Sequence, residues 1–81
     1  MDIVRGSVVK AKMGRDKDSF FVVVEICENG FVMIADGKRR TLEKPKKKNI
    51  RHLQVTKSIC DIASNRQLRQ TLKEFSNMED N

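Results

Sequence analysis

The chain has 81 residues, and its 17 Lys and Arg against 11 Asp and Glu give a formal net charge of +6. That length supports one small core but not two, and 38% hydrophobic with 35% charged residues excludes a wholly disordered polymer while limiting the core to a modest size. No stretch reaches the roughly 20 apolar residues that cross a bilayer, and the region around Asp2 and Arg5 lacks the apolar centre of a signal peptide, so a cytosolic protein without membrane contact is expected.

In chain order, Ser7 to Met13 alternates, with Val9, Ala11 and Met13 on one face and Lys10 and Lys12 on the other, the period of a half-buried strand with one wet, basic face. Gly14-Arg15-Asp16-Lys17-Asp18 is a polar connection. Phe20-Phe21-Val22-Val23-Val24 then runs on to Ile26 and Cys27, and its β-branched and aromatic content predicts the central strand. Cys27 and Cys60 lack CxxC spacing, which favours buried reduced thiols over a disulfide or a metal site. Asn29-Gly30 and Asp36-Gly37 are hairpin signals, because a type I′ turn needs positive φ at both central positions, and they bracket a strand Phe31 to Ala35. A fourth strand is expected over about Arg39 to Glu43. Pro45 then opens a loop holding Lys46, Lys47 and Lys48, and a fifth strand covers about Arg51 to Val55, with Leu53 and Val55 inward and His52 and Gln54 outward.

The last quarter changes period. Ser64-Asn65-Arg66-Gln67 has capping-box spacing, and Leu68, Leu72 and Phe75 recur at i, i+4 and i+7, so a helix of about three turns starts there. Ser58 to Ala63 reads as a turn, with a short helical turn capped by Ser58 as the alternative, and the polar tail from Ser76 onward as frayed. Five short strands leave edges and an apolar face uncovered in an open sheet. A mainly β fold closed into a small SH3-like barrel over residues 1–57 is therefore expected, with the connecting turn and helix of residues 58–76 covering one open end or edge.

Charge supplies the functional signal. From Lys38 to Arg51 eight basic residues face the single acid Glu43, a local formal charge of +7 that exceeds the charge of the whole protein. Like charges at that density repel unless a counter-charge arrives, and nucleic acid supplies regularly spaced negative charge.

Gly6 to Lys17, followed by the apolar strand and then Val32-Met33-Ile34-Ala35-Asp36-Gly37, resembles the KOW motif, a strand, a glycine-centred loop and a second strand. The continuation through Lys38-Arg39-Arg40 and Pro45 to Leu53 resembles bacterial KOW-domain proteins related to the fourteen-e type of large-subunit ribosomal protein. The likeness covers roughly residues 4–56. It implies an SH3-like barrel that binds RNA, often ribosomal RNA, through loops at one end. Asp18 stands where many KOW loops carry a second glycine. These 81 residues carry no long basic extension of the kind many ribosomal proteins have, so stable and transient association with the ribosome both stay open.

The basic residues divide by chemistry. Lys38, Lys44, Lys46, Lys47 and Lys48 supply mobile point charges for phosphates, whereas Arg39, Arg40 and Arg51, anchored on or beside strands, suit fixed bidentate contacts. Lys10, Lys12 and Arg15 extend the patch; singly, Lys10, Lys12 and Lys17 also fit plain solvated surface charges. His52 beside Arg51 is a candidate for stacking or a phosphate contact, with a simple surface histidine as the alternative. There is no Trp or Tyr, and Phe20, Phe21, Phe31 and Phe75 all lie in apolar contexts that suit core packing, so shape and charge readout is expected rather than base reading. One histidine supports no catalytic set, and no metal cluster or phosphate-cradling glycine loop is present. The expectation is a monomeric, non-enzymatic RNA-binding module acting in translation, without cofactor or metal. The alternative is a protein-interaction module of elongation-factor type, its helix or a barrel edge docked on an acidic protein partner.

Overall fold

Five apolar residues in succession, Phe20 to Val24, leave a strand no polar side, so both of its faces must be covered. They open strand β2 (Phe20–Ile26), which lies at the middle of the sheet. Strand β1 (Ser7–Ala11) pairs with it antiparallel on one side and β3 (Phe31–Ala35) on the other. β4 (Lys46–Asn49) adds to β3 and β5 (Leu53–Ile59) to β1, giving one antiparallel sheet of order β4-β3-β2-β1-β5, followed by helix α1 (Asn65–Glu79). This computed structural model describes residues 2–79; of the tail expected to be frayed, residues 80 and 81 lie outside that range.

The molecule is the mainly β fold expected, a small SH3-like barrel with a C-terminal helix. The curl is visible in reach. In a flat sheet β4 would stand three strand spacings, about 14 Å, from β1. Yet Lys48 Nζ, on β4, lies 3.5 Å from the carbonyl of Met13, just beyond β1. Two irregularities in the ladders, between Val23 and Glu25 on β2 and between Ser7 and Val9 opposite β5, supply the local bending that closure requires. At the second, Thr56 Oγ1 donates to the Val8 carbonyl and accepts from the Ser58 N–H.

Period-2 alternation sorts the apolar residues into two cores. Val9, Ala11, Phe21, Val23, Val32, Ile34 and Leu53 fill the concave side, with Ile3 and Val55 against them. Val8, Phe20, Val22 and Ala35 face outward and are covered by Leu68, Leu72 and Cys60, with Phe75 packed alongside. The helix therefore covers the outer face of the sheet, not an open end or edge. This also corrects the expectation of a wet face on β1, because Val8 is fully buried and Lys10 half-buried. Both thiols are free; Cys60 is buried and Cys27 half-buried.

Local signals are met where short-range chemistry decides. Asn29 (φ 60°) and Gly30 (φ 79°) form the expected I′ turn, closed by the Phe31 N–H donating to the Glu28 carbonyl at 3.3 Å. Asp18 adopts φ 72°, the left-handed conformation for which glycine is the usual choice. Ser64 Oγ caps α1 by accepting from the Gln67 N–H at 3.1 Å. The helix continues through 15 residues to Glu79, past the Ser76 boundary expected for the frayed tail.

Four expectations are corrected. The segment Arg39 to Glu43 is a loop, because Asp36 Oδ1 accepts from the N–H groups of Lys38 and Arg40 and the Arg40 carbonyl accepts from those of Asp36 and Gly37, closing the chain on itself. The lysine run is strand β4, not a loop; lysine at a sheet edge discourages further strand addition. Residues Ile50–His52 form a 3-10 turn, so His52 precedes β5 rather than lying on it. Finally, β5 extends to Ile59, so Ser58 belongs to the sheet and not to a turn.

Candidate nucleic-acid interface

Alternation along β4 separates its three lysines. Lys46 pairs across with Ile34 and Lys48 with Val32, both concave-face residues, while Lys47 pairs with Met33 on the convex face. Lys46 and Lys48 accordingly lean over the barrel mouth toward the β1–β2 loop. Lys46 Nζ stands 3.0 Å from Asp16 Oδ2 with both side chains largely screened from water, and Lys48 Nζ lies above the loop near Gly14. Asp16 is held below the usual carboxylate pKa, first by the hydrogen bond from Lys46 and then by the fields of Lys46, Arg40 and Lys48, against an opposing effect of burial.

The 3-10 turn joins the same rim. The Lys12 N–H donates to the His52 carbonyl at 2.8 Å, fixing the turn to the end of β1, and Asn49 Oδ1 caps it by accepting from the Arg51 N–H at 2.9 Å. One tract thus runs from Arg40 through Lys46, Asp16 and Lys48 to Lys12, Arg51 and half-buried His52, with Arg15 exposed on the neighbouring loop. These contacts assemble residues that sequence reading placed on five separate elements.

Other candidates stand apart from this tract. Lys38 and Arg39 are exposed at the tip of the 36–45 loop, where Lys38 lines a cleft with Asp18, Asp36, Arg69 and Lys73. Lys44 is exposed farther along that loop, its N–H held by Thr41 Oγ1. Lys10 turns to the helix side, 5.7 Å from the Phe20 ring centroid and 3.9 Å from Asp18 Oδ1.

Two participants escape a reading of the sequence alone. Asp16, in the polar 14–18 connection, anchors Lys46, thirty residues away, and no local pattern encodes that pairing. Phe31 is expected in the core, but it belongs to neither core cluster. It is half-buried on the convex side of β3, with Lys47 Nζ 5.0 Å from its ring centroid. Its alternation with Val32 and Ile34 is the signal that sets it on the opposite face.

Among the described residues, no three of His, Cys, Asp and Glu stand close enough to hold a metal ion, and no helix is long and apolar enough to cross a membrane. Comparison with known proteins finds no match to any family model or to any curated protein.

Proposed function

We propose that this chain is a non-catalytic RNA-binding module of KOW type that grips ribosomal or other structured RNA by its phosphate backbone and acts in translation in the cytosol. The observation that carries this reading is the basic block itself, mounted on a curled five-stranded sheet with most of its charge turned outward. Lys38, Arg39, Arg40, Lys44, Lys47 and Arg51 are exposed, while among the described residues Lys46 is the member of the block held by a carboxylate. Backbone held in a strand or in the Asn49-capped turn, as at Lys47 and Arg51, is already ordered when these cations meet phosphates, so only side-chain freedom is lost there. The apolar stripe of α1 is covered by the sheet, so nothing favours the helix as a docking element for a protein partner.

The test is salt. With about five phosphates engaged, log K falls against log salt with a slope near −3.5 for single strands. Replacing Lys47 and Arg51 together by alanine weakens binding to many RNAs and flattens the slope by about 0.7 for each phosphate no longer neutralised. Affinity independent of salt overturns the reading, as does unchanged binding by the double variant and by one that also lacks Arg40 and Lys12.

A further inference from the structure

Phe31 has no place in either core, although it is a large apolar side chain on a strand paired on both sides. Its surroundings are those of a contact surface. Met33 lies two residues along on the same face and is half-buried, and Ile50, 38% exposed, sits beside Gly30 at the turn that leads into the strand. A cation covers the ring. Directly across from Phe31 is Asn49 on β4, and Lys47, two residues before it, holds its Nζ 5.0 Å from the ring centroid; Arg51, in the 3-10 turn that follows β4, is exposed. A half-open aromatic ring with a cation that can move to a phosphate is the arrangement that single-stranded nucleic acid uses, the ring accepting a base and the cation its backbone.

Resting on the RNA reading above, we infer that Phe31 is a stacking platform for an unpaired RNA base. Lys47 covers the ring in the free protein and moves to the adjoining phosphate when a base arrives. Bases inside a continuous duplex already have both faces stacked and cannot use the platform. The module therefore prefers single-stranded segments, loops and bulges over uninterrupted duplex, a preference that charge alone does not produce.

The chain contains no tryptophan, so Phe31→Trp installs a single indole at the site. A labelled oligouridylate and a duplex of the same length are titrated against the full chain, the Phe31→Trp variant and a Phe31→Leu variant that keeps apolar volume. The expected result is that Phe31→Leu loses about five- to 160-fold in affinity for the oligouridylate, the range of one base stack, keeps its duplex affinity and keeps its salt slope. Indole emission of Phe31→Trp is quenched by the oligouridylate and not by the duplex. Unchanged oligouridylate affinity in Phe31→Leu, equal loss for both RNAs, or constant indole emission while the labelled strand is bound each overturn the stacking role and leave the RNA reading standing. Should Phe31→Leu fail to fold, the indole emission decides alone. Absence of salt-dependent binding of either RNA by the unaltered chain removes the RNA reading and this inference with it.

Discussion

Asp16 shows how one side chain can serve both fold and interface. Because its folded-state pKa lies below the ordinary 3.8, its ion pair with Lys46 stabilises the protein above about pH 4, and that stabilisation is lost as pH falls through the depressed value. Asp16→Asn is therefore expected to flatten the fall of thermal midpoint with acid below pH 4 while lowering stability near neutrality by about 1 kcal/mol or less. The same change releases Lys46 and removes a negative charge from the basic tract, so RNA affinity rises and the salt slope steepens by about 0.7; anisotropy titrations at several salt concentrations check this. Gly37 is purely architectural. At φ 80° a Cβ would lie 2.3 Å from the Asn65 carbonyl oxygen, whereas one at Gly30 (φ 79°) would meet a flexible Ile50 carbon at 3.9 Å. Urea denaturation should show a loss of more than about 2 kcal/mol for Gly37→Ala against about 1–2 kcal/mol for Gly30→Ala, the second reflecting backbone strain without a clash. Residue-scale chemistry is legible in the sequence at Asn29-Gly30 and Ser64, but not at Asp36-Gly37, where only Gly37 takes positive φ and the Asp36 side chain closes a longer loop in place of the expected I′ turn. Nor is it legible at Asp16 or Phe31, whose partners arrive from another strand.

At the scale of elements, readability tracks burial. β1 and helix α1 carry an apolar period, and β2 and β3 are short β-branched and aromatic runs bounded by turn residues, so their positions are evident from residue order. β4 carries no such signal, since Lys-Lys-Lys-Asn neither alternates nor favours extended structure; it is a strand because the edge of β3 offers backbone partners. The loop before it takes the place of the expected strand because Asp36 closes it locally and α1 holds it from outside. Asn65 Oδ1 accepts from the Leu42 N–H, and Arg69 Nη1 donates to the Gly37 carbonyl. Leu68, fully buried between helix and sheet, should lose about 2–5 kcal/mol on truncation to alanine, and the capping residue Ser64 about 1 kcal/mol, both read by chemical denaturation. Within β4 the lysines are expected to separate: Lys46→Ala lowers thermal stability, while Lys47→Ala leaves it unchanged and lowers RNA affinity.

Over the whole molecule, a sheet covered on its concave side and, in part, by α1 on its convex side holds its cations at the barrel mouth, on the open part of the convex face and along the 36–45 loop. Curvature brings β4 over the β1–β2 loop, and the 3-10 turn ties the start of β5 to the end of β1, so charges distant in sequence share one rim. Salt dependence reports that concentration of charge as a single quantity. One core, a β-rich barrel, a capped helix and a dense positive block are present in the residue order, because period, turn chemistry and net charge are sums over neighbours. Which lysine is locked to a carboxylate, which faces water and which phenylalanine escapes the core depend on chain segments meeting in space. Register and sheet curvature control those meetings, and neither can be computed from adjacent residues alone.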